Sequence, residues 1–297
     1  MKHILIFEVK LFSMLNALFL IFHWKVNPEI ANIFGVYPLR YYSLMFGIAF
    51  FLGFYIIEYI FKKEKKNVEH LDALLITMFL STVIGARLGH CLFYDFNYYF
   101  VQHPLEILQV WKGGLASHGA AIGILLGLFI FQRKHREYTY LWVVDRIVIV
   151  VALAGVFIRI GNFFNHEIVG IPTDGTWGVI FYHNSDEPEG MHVPRVPIQL
   201  FESISYLILF FILAFTYLKK NVRLPDGLLL GIFLVGCFGT RIVNEIWKDS
   251  PITFLGMRNG QLLSIPLVLI GIVLIFLALE KGKAGCFKLN NERNQDF

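Results

Sequence analysis

The sequence predicts an all-α polytopic membrane protein of about seven transmembrane helices, N-terminus outside and C-terminus cytoplasmic, and three observations carry that expectation. The first is composition: of 297 residues 56% are apolar and 16% charged, 30 are Phe, and the mean hydropathy is positive. That lies outside the range of soluble globular domains. The second is segment length: the apolar runs approach the ~20 residues that cross a hydrocarbon core as a helix, not the ~10 alternating residues of a barrel strand. The third is that clusters of Lys and Arg follow alternate runs, as they do on the cytoplasmic side.

Taken in order, residues 1–22 hold an apolar run, Leu11 to Phe22, that is short for a span and lacks a small-residue cleavage site, so they are expected as an interfacial N-terminal extension. Met14 is an alternative translation start. The first span, Tyr41 to Phe61, ends in Lys62-Lys63-Glu64-Lys65-Lys66, which places the N-terminus outside. The second, Leu71 to Tyr94, leads into an aromatic external loop reaching Trp111. The third starts at Gly113-Gly114 and ends in the basic run Arg133-Lys134-His135-Arg136. A fourth, Leu141 to Ile160, delivers the chain into a large external loop, residues 162–197, rich in Gly, Pro, Asp and Glu. The fifth (Ile198 to Leu218), sixth (Gly227 to Trp247) and seventh (Leu262 to Leu279) follow, with a basic cytoplasmic tail over 281–297. Residues 1–297 are thus expected to form a single integral membrane domain. No internal repeat of the kind that relates transporter halves is evident. Cys91, Cys237 and Cys286 are far apart, so neither a metal site nor a disulfide framework is indicated.

Counting depth along each span at ~1.5 Å per residue gathers the polar groups in the outer half. Tyr42 opens the first helix there, Arg87 and His118 lie near the outer ends of the second and third, and Arg159 and Asn162 close the fourth. Gln199 and Glu202 open the fifth, and Arg241 and Glu245 lie near the outer end of the sixth. The inner half offers mainly Asp145 and Arg146, which suits a lipid-headgroup pocket better than a permeation path for an anionic solute. A non-catalytic lipid-binding scaffold fits the same pattern. Bland readings exist for each residue: Arg241 and Glu245, four apart, neutralise each other; Arg87 snorkels to the interface; His118 bonds a neighbouring helix; Tyr42 joins an aromatic belt with Trp111 and Trp177. Gly113, Gly114, Gly119 and Gly123 serve close helix packing. The coincidence of two arginines and a histidine at one depth favours the functional reading, because paired guanidiniums present donor forks that suit a phosphate.

The stretch Arg159-Ile160-Gly161-Asn162-Phe163-Phe164-Asn165-His166-Glu167-Ile168-Val169-Gly170 resembles the signature of the prolipoprotein diacylglyceryl transferases. Arg40-Tyr41-Tyr42, Gly113 to Gly119, Pro194 to Glu202, and Arg241 to Glu245 followed by Gly260 to Pro266 support the resemblance, which runs from about His23 to Leu279. Ser43 and Val196 depart from the family pattern, where glycine and histidine are usual. The resemblance implies transfer of the diacylglyceryl group of phosphatidylglycerol to the lipobox cysteine of a prolipoprotein signal peptide, with glycerol phosphate released, in the bacterial inner membrane. It implies catalytic roles for His118, Arg159 and Arg241 and substrate binding by Tyr42, Asn162, Glu167, Gly170 and Glu245. No metal, cofactor or nucleic acid is called for. Because the substrate thiol, with an unperturbed pKa of ~8.5, is the nucleophile, the enzyme needs a base and an anion site rather than a nucleophile of its own. His118 is the expected base, Arg159 and Arg241 the stabilisers of the leaving phosphate, and Asn162 a neutral donor. Glu167 and Glu245 are expected to orient the arginines.

Overall fold

A computed structural model describes residues 21–33, 37–110, 113–184, 192–220, 224–249, 251–254 and 256–293. Most of the expected N-terminal extension, with Met14, lies outside these residues, as do Trp111 and the end of the tail; the side chain of Cys286 is likewise not described. Among the described residues are seven α-helices: α1 (Tyr41–Lys63), α2 (His70–Phe93), α3 (Ser117–Lys134), α4 (Tyr140–Phe164), α5 (Ile198–Lys220), α6 (Leu228–Asn244) and α7 (Asn259–Arg293). Six of them are long and apolar enough to cross a membrane; α3 is not one of these. The reason is visible in its ends, because Ser117-His118 and Gln132-Arg133-Lys134 occupy terminal turns of a helix only 18 residues long. The chain is a multi-pass, all-α membrane protein to that extent. Its α4 window is 56% buried against 17% for α7, so protein rather than lipid surrounds α4.

Several boundaries differ from the sequence expectation. The third helix starts at Ser117, not Gly113, because Gly113 and Gly114 adopt φ of 88° and 68°, left-handed values that a helix cannot use. The fourth continues to Phe164, three residues into the expected loop. The sixth ends at Asn244 and tightens into a 3₁₀ turn over Glu245–Trp247. The seventh runs on as helix to Arg293, through most of the expected tail.

The chain divides into two compact units. The first comprises Met1–Ala49, Val151–Phe215 and Gly231–Val273; the second comprises Phe50–Val150, Thr216–Leu230 and Leu274–Phe297. The first unit carries short strands that hydropathy did not foresee. Strands β2 (Glu29–Ile33) and β3 (Tyr37–Arg40) form an antiparallel hairpin that ends directly at α1. Strand β1 (Ile21–Trp24) pairs in parallel with β4 (Gly178–Phe181), Ile21 opposite Gly178 and Trp24 opposite Phe181. Ile21 and Phe22 therefore belong to a strand rather than to an interfacial segment. Phe163, Val169, Val179 and Phe181 form a small core with Trp24 and Leu200 packed on it, so the described part of the polar loop after α4 is folded against the helix end. A third pair, β5 (Ile252–Phe254) and β6 (Met257–Arg258), precedes α7.

The second unit is held by a small-residue seam and by buried ionic groups. Helices α2 and α3 run antiparallel with Gly89 on Gly119, Gly85 on Gly123 and Ser81 on Gly127; a Cβ at Gly85 would fall 2.5 Å from the Gly119 carbonyl oxygen. Small residues at a spacing of four let the backbones touch where lipid offers no hydrophobic drive. Arg87 does not snorkel. It is buried, its guanidinium donating to the carbonyls of Ile107 (3.0 Å), Gly113 (2.7 Å) and Glu106 (2.5 Å), over the Tyr99 ring at 4.7 Å. It thereby fixes the loop before α3. Asp145 accepts hydrogen bonds from the backbone N–H groups of Gly227 (2.7 Å) and Leu230 (2.8 Å), capping α6 from a different helix. Arg146 meets Glu64 through two parallel bonds of 3.1 Å, and Trp142 Nε1 donates to the same carboxylate at 2.7 Å.

Candidate active site

The first unit assembles its polar side chains from three helix ends. On α4, Arg159 and Asn162 are one turn apart, and Arg159 Nη1 donates to Asn162 Oδ1 at 3.1 Å. Asn162 Nδ2 donates in turn to Glu167 Oε1 at 2.8 Å, where Asn165 Nδ2 also arrives at 3.3 Å. The reversal that brings Glu167 back is tight: its N–H bonds the Asn162 carbonyl, and His166 and Ile168 both take φ of 56°. His166 is held there by Val26, whose carbonyl lies 2.8 Å from Nε2, and by the His183 N–H, 3.4 Å from Nδ1. Burial, ahead of the neighbouring His183, keeps this histidine below its usual range.

From α5, Glu202 supplies the central carboxylate. Its Oε2 lies 2.9 Å from Arg159 Nε, an ion pair whose angle falls short of a hydrogen bond, and its Oε1 lies 2.7 Å from Lys248 Nζ. Gln199, one turn earlier, donates to the Glu167 carbonyl at 2.9 Å. Tyr206, one turn later, hydrogen-bonds Arg159. From α6 and its 3₁₀ turn come Arg241 and Glu245. The Glu245 carboxylate lies 3.5 Å from Lys248 Nζ and packs against Gly260 at the start of α7, where a Cβ would collide with it. Arg258 Nη1 donates to the carbonyls of Glu245 and Ile246, both at 2.7 Å. Arg241 Nε is buried with no hydrogen-bond partner among the described residues.

The unit thus brings together Arg159, Asn162, Glu167, Arg241 and Glu245 with Glu202, which the sequence placed at that depth without a role, and with Tyr206 and Lys248, which it did not single out. Arg159 is oriented by Glu202 directly, whereas Glu167 acts one link away through Asn162. Tyr42 stands in the first turn of α1, its ring against Gly161, and its hydroxyl feels the charges of Glu167 and Arg159. Gly170 offers only backbone: its N–H bonds the Val196 carbonyl at 3.0 Å, it bridges to Lys248, and a Cβ would strike both the Val196 and Trp247 carbonyls. Val196, the departure from the family pattern, is buried core. Glu202 was visible as a carboxylate opening a helix. Lys248, one turn past Glu245, had no signal beyond that spacing.

His118 belongs to the second unit. It is exposed in the first turn of α3, with the Phe93 ring 5.1 Å and the Tyr94 ring 5.9 Å away. Its place there is set by the Arg87 clasp on Gly113 and by the Ala116 N–H bond to the Ala86 carbonyl.

The family model for prolipoprotein diacylglyceryl transferase matches residues 28–277, which include every residue of this site. The chain belongs to that family. Similar proteins named phosphatidylglycerol–prolipoprotein diacylglyceryl transferase include one from Tolumonas auensis, 40% identical over 261 residues that cover 87% of this chain and 98% of the relative. One from Chloroherpeton thalassium is 40% identical over 263 residues, covering 88% and 95%. A third, from Porphyromonas gingivalis, is 36% identical over 269 residues, covering 86% and 94%.

Proposed function

We propose that the chain transfers the diacylglyceryl group of phosphatidylglycerol to the thiol of a prolipoprotein's lipobox cysteine, in the bacterial inner membrane. It is a transferase of lipoprotein biosynthesis. The observation that carries the proposed site is Arg241, a half-buried arginine whose buried Nε has no hydrogen-bond partner among the described residues and whose charge, with that of Arg159, acts on Tyr206. In the reaction the substrate thiol gives up its proton to a base, the sulfur forms a bond to the glyceryl carbon, and the carbon–oxygen bond to phosphate breaks; His118 is proposed as that base on the family resemblance alone. The electron pair leaves on the phosphate oxygen. Arg159, Arg241 and Asn162 hold that developing monoester, and Glu202 and Lys248 fix Arg159 and its surroundings. Glu167 and Glu245 support the donors, Tyr42 caps the headgroup, and Gly170 sets the loop by its backbone. The reading as an anionic-solute path is disfavoured because Asp145, Arg146 and Arg87 are taken up by protein groups.

In this reading residues 1–297 form one membrane domain, α3 counts as the seventh span, the N-terminus is outside, and residues 162–197 face away from the cytoplasm. Purified protein incubated with labelled phosphatidylglycerol and a lipobox peptide should give a thioether-linked product; a peptide with serine in place of the cysteine should give none. A cysteine placed at Asp174, which is exposed, should react with an impermeant thiol reagent on spheroplasts, and labelling only after lysis would overturn the topology.

A further inference from the structure

We propose that His70, His135 and Glu137 of the second unit form a binding site for a divalent transition metal of the zinc type, which clamps the start of α2 to the turn between α3 and α4. His70 is the first residue of α2, His135 is the C-cap of α3, and Glu137 lies in the turn before α4. One donor atom from each lies within 4.8 Å of the others. His70 Nδ1 is 3.0 Å and His135 Nδ1 is 3.9 Å from Glu137 Oε1, distances that bracket the roughly 3.3 Å between neighbouring ligands of a tetrahedral zinc with bonds of ~2.0–2.1 Å. The donor set, two imidazoles and a carboxylate, is one that zinc favours, whereas calcium and magnesium take oxygen ligands.

Three further features fit a cation there. The His70 and His135 rings stand 4.1 Å apart between centroids, so both reach one point. Both side chains are about one-fifth exposed and Glu137 about half, so solvent reaches the point where the three donors converge and a water can complete four ligands. Tyr138 Oη lies 2.9 Å from His70 Nδ1 as a fourth polar group facing the same point.

The experiment uses the full chain, tag removed, in detergent after treatment with a chelator. Zinc chloride is titrated in competition with a chromophoric chelator, and cobalt chloride is added in parallel for its visible absorption. The wild type should take one tight equivalent of zinc, and its cobalt form should show the strong bands of four-coordinate geometry. His135→Asn with Glu137→Gln should lose that equivalent and the bands, and exposed Glu137→Gln alone should weaken zinc at least tenfold. Metal-free melting temperatures of wild type and Glu137→Gln should match, showing that folding is kept. If the wild type binds no zinc, or if Glu137→Gln and the double variant bind as the wild type does, the site is not these residues. A purely electrostatic contact between His70 and Glu137 would give the first of these results.

Discussion

Both units bury charge, but they treat it differently. In the second unit charged groups are met by protein: Arg87 by four backbone carbonyls, Asp145 by two backbone N–H groups, and Arg146 by both oxygens of Glu64. Arg146 also stacks on Trp142, with its guanidinium carbon 4.9 Å from the ring centroid. In the first unit Arg159 is shared among Asn162, Glu202 and Tyr206, and Arg241 keeps a buried Nε without a partner. Arg146 Nη1, like Arg241 Nε, has no hydrogen-bond partner among the described residues, so the sharpest contrast is between Arg87, wrapped by carbonyls, and Arg241. On that contrast we propose that Arg87 holds the fold and that Arg159 and Arg241 are offered to substrate, a distinction depth in the membrane alone could not make.

The contrast predicts opposite phenotypes. The largest expected effect is at His118: His118→Gln should keep the fold and lower transfer by about 10²–10⁴, the worth of a positioned base. The loss should shrink as pH approaches the thiol pKa of ~8.5, since bulk hydroxide then makes the thiolate. Normal transfer at neutral pH would remove His118 from the mechanism. Next come Arg159→Lys and Arg241→Lys, which retain charge but not the fork; transfer should fall by about 10²–10³ with folding intact. Wild-type rates in both would make these arginines structural. Arg146→Met should do the reverse, stranding Glu64 and costing roughly 3–5 kcal/mol of stability while transfer per folded molecule stays normal. Unfolding in detergent alongside an active-fraction assay distinguishes the two classes.

Smaller effects sharpen the comparison inside the first unit. Asn162→Ala should damage transfer more than Asn165→Ala, because Asn162 links Arg159 to Glu167 whereas the Asn165 amide reaches only the carboxylate, at 3.3 Å. Equal, mild effects would place neither against lipid. The smallest effect is pH-dependent. His166 sits below its unfolded pKa of ~6.5, so its contribution to stability is whole above that pH and is lost as pH falls through 6.5 toward the folded value. Melting temperature should drop between about pH 7 and 5. His166→Asn should flatten that drop.

The helices were legible because lipid imposes length and apolarity on each segment locally. What stayed hidden depends on partners far off in sequence. Ile21–Trp24 reads as one more apolar run, and only its pairing with Gly178–Phe181 makes it a strand. Arg87 could not be told from a snorkelling arginine until the carbonyls of Glu106, Ile107 and Gly113 were found around it. Arg159, Asn162 and Glu167 were legible as a set since one helix end carries all three. Lys248 was not, because a lysine beyond a helix end is ordinary until Glu202 is seen against it.

The cap that Asp145 places on α6 also bears on how the chain is made. Its hydrogen-bond partners, Gly227 and Leu230, come 82 and 85 residues later in the sequence. At a synthesis rate of ~5–20 residues per second, the fourth helix waits roughly 4–17 s in the membrane with a carboxylate that nothing yet satisfies. Glu64 waits as long, 82 residues, for Arg146 to follow it. The order of synthesis thus leaves each of these carboxylates unsatisfied for several seconds, and a chain ending before Gly227 would never supply the N–H groups that Asp145 accepts from.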